Sequence, residues 1–193
     1  YSELGVRDAA FREIPQSLGA GKSERGRKVQ MCAFSFTLLA SLASMAALML
    51  IAHFWVKDVT LKKGLWVVAL LVVATQIYNF FLTLLRTLKK IGALGWVIIL
   101  NMLFVAALSL LGAKFFGVVG LATGILVATL TSAFFAKTLG NIEIALDWDW
   151  QGIAGLIQIG LPMVVLSYAL LSFLSLDALM IGKMIGMREL GFY

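Results

Sequence analysis

The chain has 193 residues, 61% of them hydrophobic and 13% charged, with a mean hydropathy of +0.97 and a formal net charge of +6. A soluble domain carries roughly a quarter of its residues as charges and under about half as apolar ones, so water is excluded as the solvent for most of this surface. The remaining candidate is a bilayer.

Residues 1–30 come first and hold much of the charge. Leu4, Phe11, Ile14 and Leu18 recur at helical spacing with Arg7, Asp8, Arg12 and Glu13 between them. This reads as an amphipathic helix on the membrane interface, at the end of a preceding span. Pro15 and the run Leu18-Gly19-Ala20-Gly21-Lys22 are expected to break it. A start at Tyr1 and a stop at Gly191-Phe192-Tyr193 suggest a piece of a longer protein.

Five uncharged stretches follow, at 29–56, 64–85, 91–113, 115–136 and 150–176. A helix needs about 20 residues to cross a hydrocarbon core of about 30 Å, and every stretch reaches that length. Apolar residues occupy all helix faces rather than alternating with polar ones, which favours helices over barrel strands. The fold class is therefore an all-α polytopic membrane protein with about five full transmembrane helices.

The connecting charges orient the chain. The segments 1–30, 86–90 and 137–149 together hold ten Lys and Arg residues, against six on the other side. The positive-inside rule places the first group in the cytoplasm. The spread of positive charge suits membrane lipids as partners and gives no reason to expect nucleic acid.

The usual enzyme constellations find no support. The single cysteine, Cys32, cannot form an internal disulfide, and no Cys/His cluster suggests a metal. His53 stands near Trp55 at the end of the first span and reads as interfacial. Asp147 and Asp149, flanked by Trp148 and Trp150, read as part of a membrane-boundary anchor. No cofactor and no catalytic residue is expected.

Within the spans, Gly120, Gly124, Ala128 and Ser132 repeat every four residues. Such a stripe lets another helix approach closely, so Gly120, Gly124 and Ala128 are assigned to helix packing. Thr37, Ser41 and Ser44 form a weaker stripe in the first span. Gln76, Asn79, Thr83 and Arg86 lie at offsets of 0, 3, 7 and 10, within roughly a quarter of a helix circumference. Polar groups facing lipid are costly, so this face is expected to line the protein interior or a watery path, or to bond to another helix. The last span opens at Gly160-Leu161-Pro162 and carries Asp177. An ionisable group in a span is a candidate for function, although Asp177 shares its face with Leu166, Leu170 and Phe173.

Three segments carry a resemblance. Gly160-Leu161-Pro162, Asp177-Ala178-Leu179-Met180-Ile181-Gly182 and Leu190-Gly191-Phe192-Tyr193 resemble the opening of a lobe in polysaccharide (O-antigen type) flippases. These belong to the multidrug/oligosaccharidyl-lipid/polysaccharide exporter superfamily. Leu4-Gly5-Val6 with Ala10-Phe11-Arg12-Glu13-Ile14-Pro15 resembles the end of that family's second helix. Leu84-Leu85-Arg86-Thr87-Leu88-Lys89-Lys90 is similar to the basic turn after its fourth.

The resemblance implies a fragment of a two-lobe transporter of 12–14 helices. Residues 1–149 would run from the end of helix two through helix six, and 150–193 would open the second lobe at helix seven. It further implies a multi-pass protein of the inner cell membrane that flips a lipid-linked oligosaccharide by alternating access around a cationic cavity. A coupling ion is a further expected partner. The spans themselves hold few basic residues at mid-depth, a departure from that pattern. The alternatives are a multidrug/cation antiporter of the same superfamily and a non-catalytic membrane subunit of polysaccharide assembly. On the flippase reading, Gln76, Asn79, Thr83 and Arg86 line the substrate path, with Asp177 as a further candidate.

Overall fold

The computed structural model describes residues 5–142, 145 and 147–184; side chains at 18, 60, 171 and 173–184 lie outside the description. Five helices follow in chain order: α1 (Val6–Gly19), α2 (Ser23–Trp55), α3 (Val59–Thr87), α4 (Ile91–Gly140) and α5 (Trp150–Met184). No strand occurs among the described residues. Four of the helices are long and apolar enough to cross a membrane, so the protein is an all-α polytopic membrane protein.

The fourth of these elements hides a reversal. A straight helix of 50 residues would be about 75 Å long, more than twice the hydrocarbon thickness. The chain turns back at Gly117, whose φ of 61° and ψ of −141° are open to glycine and strained for other residues. Its arms, 91–116 and 118–140, then run antiparallel. A Cβ on Gly120 would strike the Gly112 carbonyl, one on Gly124 would strike the Leu108 carbonyl, and Phe104 stacks on Phe135 at 6.1 Å. The third and fourth uncharged stretches are thus two crossings of one hairpin.

Three helices stop at one end of the bundle in the same way. Gly21, Lys89 and Asn141 adopt positive φ, and the next residue donates back to the helix: Lys22 to the Ser17 carbonyl, Lys90 to Leu85 and Ile142 to Lys137. This is the Schellman arrangement, which satisfies carbonyls that a helix end leaves unpaired. Lys90 Nζ also donates to the Gly140 carbonyl, joining the α3–α4 turn to the end of the hairpin. At the same end Asp149 Oδ1 accepts the Gln151 N–H at 3.0 Å and caps α5. Asp149 therefore has a structural task beyond the anchor expected of it, while Trp148 and Trp150 meet edge to face and remain exposed.

The position of α1 differs from the surface helix expected. Val6, Ala9, Ala10 and Ile14 are buried, whereas Phe11 remains 47% exposed. The helix packs into the bundle against α2, α3 and α5 instead of lying on it. It also continues through Pro15 and ends at Gly19. Gly5, at a φ of +75°, backs onto Gly160 of α5 so closely that a Cβ on either would strike the other's backbone. Around this crossing the core collects Cys32, Ala33 and Phe34 of α2, Tyr78, Phe80, Phe81, Leu84 and Leu85 of α3, and Ile153 and Leu156 of α5. Phe34 lies 5.2 Å from Phe80 between ring centroids.

Candidate functional site

The polar face of α3 remains open. Asn79, Thr83 and Arg86 line a cleft of about 340 Å³ with Leu82 and with Arg7, Asp8 and Phe11 of α1. Further along, Gln76 and Asn79 line a second cleft of about 620 Å³, again with Arg7 and Asp8, and with Ser167 of α5. Shared walls make the two one groove, bounded by α1, α3 and α5. On α3 it runs from Val68 to Arg86, about 27 Å of helix against a hydrocarbon core of about 30 Å.

The four residues of the α3 stripe are brought together here, but they do not offer the same chemistry. Asn79 and Gln76 are half-buried, and each amide carries donors and acceptors. Thr83 Oγ1 donates to the Asn79 carbonyl at 2.9 Å, one turn back in its own helix. It therefore presents the groove with an acceptor. Arg86 is exposed in the last turn of α3, with a guanidinium suited to bidentate binding of phosphate.

Arg7 and Asp8 are the residues that sequence reasoning missed. They stand level with Asn79 on α3, two turns inside the basic end marked by Arg86. Reading residues 1–30 as a surface segment put them outside the membrane. One signal could have found them: Gly5 and Ala9 are small residues four apart, the spacing that marks close helix packing. In the structure Ala9 has no exposure and Gly5 touches Gly160.

The remaining candidates lie elsewhere. Gly120, Gly124 and Ala128 are buried and face the opposite arm of the α4 hairpin, away from the groove. Ser132 continues their stripe, and its Oγ is buried without a hydrogen-bond partner, as is Asn101 Oδ1 on the other arm. Thr37 and Ser41 of the weaker stripe are buried in α2. Asp177 falls in the last part of α5, where the side chains are outside the described residues. No group of His, Cys, Asp and Glu able to hold a metal occurs among the described residues.

A family model described as "Polysaccharide biosynthesis protein" matches residues 19–193. The chain belongs to that family. The match covers α2 to α5 and stops short of Arg7 and Asp8, which lie on the N-terminal side of the matched residues. Searches of curated proteins and of solved structures return no match. Membership in a family of polysaccharide biosynthesis and four membrane-crossing helices define a membrane protein with a role in polysaccharide synthesis or export.

Proposed function

We propose that this protein moves a lipid-linked oligosaccharide across the inner cell membrane by alternating access, without catalysing a covalent reaction, and that the groove along α3 is part of the path. The observation that carries the reading is the length of the groove combined with its lining. It extends over most of a membrane's thickness and presents Gln76, Asn79, Thr83 and Arg86 along α3, with Arg7 and Asp8 opposite.

The physical requirement is severe. A sugar head group loses many hydrogen bonds to water when it enters hydrocarbon, and each unpaired polar group costs roughly 2–7 kcal/mol, depending on the reference state. The Gln76 and Asn79 amides supply both donors and acceptors as substitutes. The phosphates that join sugar to lipid need cations. Arg86 meets them at the basic, cytoplasmic mouth and Arg7 continues the positive lining to mid-depth. Asp8, beside Arg7, offsets its charge when the path is empty. Asp8 and Asp177 are the candidate sites for a coupling ion.

The test is complementation of a strain lacking its own flippase by the full-length gene. Restored surface polysaccharide, lowered by Arg86→Ala and Asn79→Leu at normal protein level, is the expected result. Unchanged export with both substitutions removes the groove from the mechanism. Recovery of resistance to cationic drugs without polysaccharide replaces the reading with an antiporter that uses the Asp8 carboxylate. Polysaccharide restored by assembly of the synthesis machinery, with no flipping in reconstituted vesicles, makes the protein a non-catalytic subunit.

A further inference from the structure

A separate cleft of about 340 Å³ lies at the basic end, between α1, α2 and the start of α5. Its polar lining carries both signs, with Arg25 and Lys28 from α2, Glu13 from α1 and Asp149 at the head of α5. Glu13 already holds Arg25 at 3.2 Å. Asp149 spends Oδ1 on the Gln151 N–H, while Oδ2 lies beside Gly152. Lys28 and the second Asp149 oxygen are thus the groups of opposite charge that face a ligand.

Apart from the Gln151 amide and the Cys32 thiol, the rest of the wall is apolar and shaped by glycine. Gly152, Gly155, Leu156 and Ile159 line the cleft at offsets of 0, 3, 4 and 7, one face of α5. A Cβ on Gly155 would meet nothing within 4 Å, so the space beside it is open. This trough descends from the helix cap toward the hydrocarbon by about 10 Å. Val29 of α2 adds to its wall.

The charges select the ligand. A purely anionic headgroup would meet Glu13 and Asp149, and a purely cationic one would meet Arg25 and Lys28. A zwitterion with phosphate and ammonium a few atoms apart matches both. A primary ammonium can donate a hydrogen bond to a carboxylate, which a trimethylammonium cannot. The apolar trough adds the need for an acyl chain. We propose that the cleft binds an ethanolamine phospholipid from the leaflet at the basic end. Its phosphate lies on Lys28, its ammonium on Asp149 Oδ2 and an acyl chain beside Gly155 and Ile159. The lipid would fasten the start of α5 to α1 and α2. This site is independent of the transport path.

Native mass spectrometry of the full chain, with phosphatidylethanolamine, phosphatidylcholine and phosphatidylglycerol of identical acyl chains at equal concentration, tests the proposal. Wild type should retain one phosphatidylethanolamine at least about threefold above either competitor, a factor within reach of one partly exposed ion pair. Asp149→Asn keeps a capping side chain and should erase the preference over phosphatidylcholine. Lys28→Gln should lower retention of all three lipids. Gly155→Leu places a side chain in open space and should displace the bound lipid without lowering the melting temperature. Equal retention of the three, or retention indifferent to Gly155→Leu and Lys28→Gln, overturns the proposal in favour of non-specific boundary lipid. Preference for phosphatidylglycerol overturns it in favour of general attraction to basic residues. Retention of none overturns it too and leaves the cleft to a polypeptide.

Discussion

Two helix faces in this protein repeat at intervals of three or four residues and have opposite surroundings. On α4, Gly120 and Gly124 press against the outgoing arm of their own hairpin, backbone to backbone, with Ala128 buried in line with them. On α3, Gln76, Asn79, Thr83 and Arg86 hold back their neighbours and line a groove. The difference lies in what each face gains from contact. Without a hydrophobic drive in lipid, small residues gain dispersion and close packing by removing the gap. Amides and a guanidinium would lose their hydrogen-bonding partners if an apolar helix covered them. A periodic stripe therefore marks either a seam or an open groove, and side-chain chemistry decides which.

The largest expected effect tests the seam. Gly124→Leu would drive a side chain into the Leu108 carbonyl and to within about 2.8 Å of Ser109 Cα, a clash costing at least about 3 kcal/mol. The variant should fail to accumulate in the membrane fraction on immunoblots, while Leu121→Ala, on an exposed face, should accumulate normally. Normal accumulation of Gly124→Leu would mean that the hairpin is not a close seam.

The path should respond in the other manner. Arg7→Ala should lower polysaccharide export about tenfold, the scale of a charge-assisted hydrogen bond of roughly 1.5–3 kcal/mol, with protein level unchanged. Arg12→Ala, on an exposed part of α1, should export like the parent. Equal export by the two variants would break the contrast between α1 residues that face the groove and those that do not.

Smaller effects sharpen the same contrast. Ser132 has a buried hydroxyl with no partner inside the tight seam, so Ser132→Ala should raise thermal stability in detergent by about 1 kcal/mol. A fall in melting temperature would show that the hydroxyl bonds within the hairpin. Thr83 donates its hydroxyl hydrogen to its own helix, so Thr83→Val should change accumulation little and export less than about twofold. A loss as large as that of Asn79→Leu would make the Thr83 hydroxyl a direct contact to substrate.

Much of the architecture was legible before any coordinate. Runs without charge of membrane length locate every long crossing, since an apolar run measures the thickness of the solvent it occupies. The α3 stripe was legible for the same local reason: offsets of 0, 3, 7 and 10 place side chains on one face of any α-helix. The tight reversal was not. Lys114 divides two runs and suggests a turn at that point, but the chain reverses three residues later, at the residue that tolerates a φ of 61°. The capping role of Asp149 had a sequence signal in the acid just before the helix, which the two flanking tryptophans outweighed.

What the sequence determined by itself was the solvent of each charge-free segment and the chemistry on each helix face, because both follow from residue type and local periodicity. Tertiary structure decided which faces meet and at what depth. The clearest case is α1, which contains Arg7, Asp8, Arg12 and Glu13 and so forms no uncharged run. A charge-free stretch is the local mark of lipid exposure, and α1 lacks it: one face, with Val6, Ala9, Ala10 and Ile14, is buried against protein, while Asp8 and Arg12 stay exposed. Gly5, just before the helix, meets α5 at Gly160, and Arg7 and Asp8 line the groove that α3 keeps polar. A charged residue can lie at membrane depth when other helices provide its polar surroundings, and those surroundings exist only after the helices have assembled.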